Sequence, residues 1–124
     1  MKKILVVDDE EDILFSVKYG LEESCNEYKV QTANDGIKCL DILDKETPDL
    51  ILLDLTMPNM NGWKVLDTIQ ENLKWRHIPI FIITAVNDPE FKRSVEELGI
   101  KYIEKPFTID DLKAKIDNFF NKKQ

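Results

Sequence analysis

The stretch Asp49-Leu50-Ile51-Leu52-Leu53-Asp54-Leu55-Thr56-Met57-Pro58 decides how this chain folds. Four apolar residues, Leu50 to Leu53, run without a polar break. A carboxylate follows at Asp54, then a turn region containing Pro58 and Gly62. A short unbroken apolar run between turn signals fits a strand buried on both faces. The pattern predicts a strand over 50–53, with Asp54 at its C-terminal end and half out of the core. In an open parallel α/β sheet, that carboxyl edge is where ligands bind.

Outward from this stretch, strand and helix patterns alternate five times. Residues 4–7 (Ile-Leu-Val-Val) read as a second buried strand, ending in Asp8-Asp9-Glu10. A helix follows with Ile13, Leu14, Val17 and Leu21 at helical spacing, and Gly20 inside it has no explanation from sequence. Residues 28–33 alternate apolar and polar, as a half-exposed strand does, and Asn34 or Asp35 caps a helix carrying Ile37, Leu40 and Leu43. After strand 50–53 comes a helix with Val65, Leu66, Ile69 and Leu73. Residues 78–83 form another apolar strand that tolerates Pro79 near its start and ends at Thr84-Ala85. Asp88-Pro89 opens the next helix, carrying Phe91, Val95 and Leu98, and Gly99 closes it. Residues 100–104 make a mixed strand ending in Lys105-Pro106. Thr108 then caps a last helix with Leu112, Ile116 and Phe119 or Phe120.

This alternation with short loops predicts an α/β fold: a (βα)5, doubly wound, five-stranded parallel sheet covered by helices on both faces. The continuously apolar strands belong in the centre and the two mixed ones at the edges. That favours the order 2-1-3-4-5, the flavodoxin-like arrangement.

Composition sets outer limits. A chain of 124 residues with 43% hydrophobic and 33% charged content suits a single globular domain over 1–124. The net charge of -7 disfavours nonspecific binding to nucleic acid or an anionic membrane. No apolar run approaches ~20 residues, and Met1-Lys2-Lys3 leads into too short an apolar stretch for a signal peptide. Cys25 and Cys39 form no CxxC, and His77 cannot complete a zinc set with them. They read as two free thiols in a reducing cytoplasm.

Parallel strands all end on one side, so Asp8, Asp9, Asp54, Thr84 and Lys105 gather at one edge. Taken singly, each has an ordinary reading: Asp8 or Asp9 as a helix cap, Asp54 as a turn residue, Thr84 as a strand terminus, Lys105 as a solvated lysine. Their convergence is what the ordinary readings leave unexplained. Clustered carboxylates stay ionised together only if cations neutralise them, and hard oxygen ligands suit Mg²⁺. A metal, an ammonium and a hydroxyl around a carboxylate nucleophile are the parts of phosphoryl transfer through an aspartyl phosphate.

The motifs Ile4-Leu5-Val6-Val7-Asp8-Asp9-Glu10, Leu52-Leu53-Asp54-Leu55-Thr56-Met57-Pro58 with Asn61-Gly62, Ile83-Thr84-Ala85, and Lys105-Pro106 together resemble a response-regulator receiver domain of two-component signal transduction. The resemblance runs from Lys3 to about Asn121. It implies Asp54 as phosphoacceptor, Asp9 as direct metal carboxylate, Asp8 acting largely through water, and the Thr56 backbone carbonyl on Mg²⁺. It implies Lys105 as the phosphoryl contact, often followed by a cis proline bond, and Thr84 with Tyr102 as switch residues. By alternation Tyr102 lies opposite Ile103, which suits a surface ring able to turn inward. It further implies a histidine kinase or phosphotransfer protein as donor and a downstream protein target. The expected behaviour is that of a cytoplasmic signalling acceptor rather than an enzyme, monomeric or dimerising on phosphorylation. Asn61 stands where Asp is common before Gly, and Thr56 and Val86 occupy variable positions.

Other readings fit less well. A receiver-like binding module that never gains phosphate leaves the complete acidic set without a use. A haloacid-dehalogenase-like phosphohydrolase wants a second acid where Thr56 stands. A flavodoxin wants a hydroxyl-rich phosphate loop where Asp8-Asp9-Glu10-Glu11 would repel phosphate.

Overall fold

Side chains on β1 (Lys2–Val7) and β3 (Leu50–Asp54) alternate between two apolar cores, one on each face of a central sheet. The computed structural model describes residues 1–24, 27–57, 60–86 and 88–122. Among these, β1, β2 (Tyr28–Ala33), β3, β6 (Ile80–Thr84) and β7 (Lys101–Glu104) form one parallel five-stranded sheet. Its order is β2-β1-β3-β6-β7, which is 2-1-3-4-5 counting these strands alone. Two further strands, β4 (Thr56–Met57) and β5 (Met60–Asn61), pair as a small antiparallel ribbon outside the sheet.

Among the described residues, five helices complete the alternation: α1 (Glu11–Ser24), α2 (Gly36–Lys45), α3 (Gly62–Glu71), α4 (Pro89–Glu97) and α5 (Ile109–Lys122). Leu5, Val7, Ile51, Leu53 and Ile82 face α2, α3 and α4, meeting Cys39, Leu66, Ile69 and Val95. Ile4, Val6, Leu52, Phe81 and Ile83 face α1 and α5, meeting Val17, Leu21, Leu112 and Ile116. Ile51, Leu52 and Leu53 have no accessible surface. Each such side chain contributes about 1.5–3 kcal/mol relative to exposure. Helices on both faces explain why these strands are apolar without alternation.

Several local expectations change. Asp54 is not half out of the core but 2% exposed, with Lys105 against its carboxylate and Gly62 packed on its backbone carbonyl. β1 begins at Lys2 rather than residue 4, since Lys2 and Lys3 still pair with Tyr28 and Lys29. β6 begins at Ile80, after Pro79, and β7 at Lys101. Ile37, Leu73 and Leu98 fit the helical spacing but are exposed. In α2 the buried positions are Gly36, Cys39 and Leu43. Leu73 lies beyond the end of α3. The ribbon was not legible, and Pro58 and Cys25 lie outside the described residues.

The caps follow their chemistry. Asp35, not Asn34, caps α2 by accepting from Lys38 N. Asp88 caps α4 ahead of Pro89, and Thr108 Oγ1 accepts from Asp111 N. Gly99 takes a φ of 75°, which an L side chain rarely adopts. Gly20 now has its reason: a Cβ there would stand 2.7 Å from Ile109 Cγ2, so the glycine lets α1 approach α5.

Candidate functional site at the carboxyl edge

Four neighbouring strands deliver the site. Asp8 and Asp9 follow the last residue of β1, Asp54 ends β3, Thr84 ends β6, and Lys105 follows β7. The register pairs Val7 with Leu53, Asp54 with Ile83, and Thr84 with Glu104. Parallel pairing therefore fixes all five predicted residues at one end of the sheet.

Lys105 is the centre of charge. Its Nζ lies 2.8 Å from Asp8 Oδ2 and 3.0 Å from Asp54 Oδ2. Glu10 Oε2 is 3.8 Å away, at the solvent side. Burial works to lower the Lys105 pKa, but the nearby Asp8 and Asp54 carboxylates outweigh it and hold the ammonium above the usual lysine range. The Lys105-Pro106 bond is cis, as the resemblance implied, and Lys105 N donates to Thr84 O at 2.9 Å.

Asp8, Asp9 and Asp54 each offer a carboxylate oxygen within 4.8 Å of the others. Asp8 Oδ1 accepts from Glu10 N at 2.9 Å, whereas Asp8 Oδ2, fully buried, pairs with Lys105 by charge without an aligned hydrogen bond. Three clustered carboxylates thus share a site in which one ammonium meets two of them, with a buried oxygen still short of a directional partner. Hard oxygen donors in a small cluster carrying excess negative charge fit Mg²⁺. Thr56 lies two residues past Asp54 in β4, paired with Asn61.

Thr84 is completely buried, and its Oγ1 accepts from Val86 N at 3.3 Å. The Tyr102 hydroxyl donates to Val86 O. The Tyr102 ring is half-buried against Phe91, where strand alternation implied a surface ring able to turn inward. Burial, with the charge of Glu104, pushes its phenol pKa up.

Three features of the site were not read from sequence. Glu10 adds a third acidic contact to Lys105 from the solvent side, and its only signal was the Asp8-Asp9-Glu10 run. Gly62 packs on the end of β3 so closely that a Cβ would lie 2.5 Å from Asp54 O. Trp63 joins Phe91 and Tyr102 through ring contacts across elements distant in sequence. Asn61 caps α3, with Oδ1 accepting from Trp63 N and Lys64 N.

Residues 4–117 match the family model of the response regulator receiver domain, and the chain belongs to that family, the receivers of two-component systems. It is 34% identical over 124 residues to sporulation initiation phosphotransferase F of Bacillus subtilis, covering 95% of this chain and 93% of that protein. It is 42% identical over 118 residues to the alkaline phosphatase synthesis transcriptional regulatory protein PhoP of the same organism, covering 93% of this chain and 47% of PhoP. The solved receiver domain of the Francisella response regulator 1452 superposes with a TM-score of 0.86 at 27% identity, each chain fully covered. The chain spans less than half the length of several curated relatives that it matches. Among the described residues, no helix is long and apolar enough to cross a membrane.

Proposed function

We propose that this chain is a phosphorylation-controlled signalling switch that accepts a phosphoryl group on Asp54. The observation that carries the reading is Lys105 held between Asp8 and Asp54 beside Asp9, with Thr84 on the neighbouring strand. An Asp54 carboxylate oxygen attacks the phosphorus of a phosphohistidine or small acyl phosphate. The new O–P bond forms as the donor's N–P or O–P bond breaks, and the bonding pair leaves with the donor. Asp8, Asp9, Asp54 and the Thr56 backbone carbonyl are the groups that would hold Mg²⁺, which when bound neutralises charge on the phosphoryl oxygens. Lys105 contacts the transferred group as a fixed cation.

The added charge draws the Thr84 hydroxyl toward the phosphoryl group and shifts Tyr102 with it. The surface of α4, β7 and α5 then changes and engages a target. The donor is a histidine kinase or phosphotransfer protein. The target is a protein, with no direct contact to nucleic acid or membrane by this domain. The chain acts in the cytoplasm as a single receiver domain over 1–124, a signalling acceptor that assists its own phosphorylation and dephosphorylation. It is a monomer or dimerises on phosphorylation.

Intact-mass measurement after incubation with acetyl phosphate and Mg²⁺ tests this. The expected result is one added phosphoryl group in the wild type, none in Asp54→Asn, and slow or absent labelling in a folded Lys105→Ala. An adduct that survives Asp54→Asn overturns the assignment of Asp54. A Lys105→Ala protein that labels at the wild-type rate overturns the role of Lys105.

A further inference from the structure

Tyr102 is held from two directions, and only one of them runs through Thr84. On the Thr84 side, the Tyr102 hydroxyl donates to Val86 O, and Val86 N donates to Thr84 Oγ1. On the other side stands a ladder of rings. The Phe91 ring on α4 meets the Tyr102 ring edge-on at 5.9 Å and 74°. Phe91 in turn meets Trp63 on α3 at 5.5 Å and 82°. Both angles are the edge-to-face arrangement that the aromatic quadrupole favours, so each contact prefers one relative orientation. Lys92 adds a cation 5.5 Å from the Tyr102 ring centre and is itself tied to Glu104 at 3.6 Å.

The far end of the ladder is anchored at the acidic site. Trp63 follows Gly62, which packs directly on the Asp54 and Leu55 backbone. Asn61 Oδ1 accepts from Trp63 N at 3.0 Å, fixing the first turn of α3 that carries the indole. The contacts therefore close a circuit from Asp54 through Gly62, Trp63 and Phe91 to Tyr102, then back through Val86 to Thr84.

We propose that Trp63 and Phe91 are positioning residues that set the inward rotamer of Tyr102, so that α3 biases the ring independently of Thr84. The regulatory meaning of this bias rests on the reading of Tyr102 as a switch residue. The holding of the ring does not. The ladder favours the inward ring already in the unphosphorylated protein, and its removal frees the ring to leave.

The test uses the unphosphorylated protein, so its failure is separable from failure of the phosphoryl-transfer reading. The χ1 of Tyr102 is read from three-bond couplings to a labelled tyrosine ring, with its signals identified by their loss in Tyr102→Phe. Tyr28, which donates to Asp117 on the opposite face of the sheet, reports whether each variant is folded. The expected result is a single rotamer in the wild type and in Ile37→Ala, a change at an exposed site on α2. Phe91→Ala and Trp63→Ala are expected to give couplings averaged over two rotamers, with those of Tyr28 unmoved. Where Phe91→Ala fails to fold, Phe91→Leu and Trp63→Ala decide in the same way. Wild-type Tyr102 couplings in folded Phe91 and Trp63 variants overturn the proposal.

Discussion

Lys105 Nζ lies 3.0 Å from Asp54 Oδ2, with the two side chains only 12% and 2% exposed. The same ammonium also serves Asp8, so one cation answers two buried carboxylates while Asp9 adds a third nearby. Like charges this close, in a region that water barely reaches, repel strongly. The resting site therefore stores electrostatic energy that folding elsewhere offsets. Asp54→Asn removes one of the repelling charges, while Lys105 keeps Asp8. Without divalent cation, this variant is expected to be more stable than the wild type by ~1 kcal/mol, the scale seen when functional strain is relieved. Urea unfolding in a chelator measures it, and a loss of stability would show that the Lys105–Asp54 pair outweighs the repulsion.

The same imbalance predicts a response to metal. A ligand that binds only the folded state stabilises it by mass action, about 2.7 kcal/mol at a hundredfold excess over Kd. Mg²⁺ is expected to raise the Tm of the wild type and chelation to reverse it. The rise should shrink in Asp9→Asn and Asp8→Asn. Thermal unfolding across a Mg²⁺ series gives the answer. An identical rise in Asp9→Asn would place the ion elsewhere.

Much of this was legible in the sequence because the physics acting there is local. Unbroken apolar runs at 50–53 and 78–83 mark strands covered on both faces, and their parallel arrangement follows from the alternation. That arrangement alone brings Asp8, Asp54, Thr84 and Lys105 to one edge. What stayed hidden depends on contacts between distant residues. Helical spacing does not tell Ile37, which is exposed, from Cys39, which is buried, because the face that packs depends on where α2 lands on the sheet. Gly20 looked like a cost and Gly62 only like a turn residue until Ile109 and the Asp54 backbone came to lie against them. What holds the Tyr102 ring was not legible, because alternation says nothing of Phe91 arriving from α4.

Those two glycines should respond differently to alanine. At Gly62 the new Cβ would meet backbone of Asp54 and Leu55, which cannot rotate away. At Gly20 it would meet the side chain of Ile109, which can shift, and alanine gains ~1 kcal/mol of helix propensity over glycine. Gly62→Ala is therefore expected to destabilise by about 2–3 kcal/mol, the range of a forced overpacking, and to slow phosphorylation by displacing Asp54. Gly20→Ala should stay within ~1 kcal/mol of the wild type. Denaturant unfolding compares them, and equal losses would mean that the end of β3 yields as easily as a side chain.

Alkaline pH gives a further prediction with a definite sign. Burial pushes the Cys39 thiol from 9.0 up to about 12. A raised folded-state pKa means that the native protein holds the proton more tightly. The resulting stability is fully present below the unfolded value and drains away as pH rises toward the folded one. Cys39 therefore begins to cost stability near pH 9, with a slope approaching ~1.4 kcal/mol per pH unit. Lys105, held above its ordinary 10.5 by Asp8 and Asp54 against the opposing effect of burial, adds its loss only at higher pH. The two contributions separate in Cys39→Ala. That variant starts from lower stability because a buried side chain is shortened, yet its stability should stay level where the wild type first declines. Unfolding free energies between about pH 8 and pH 10 decide the matter. A parallel decline in both proteins would mean that Cys39 is reached by solvent in the native state.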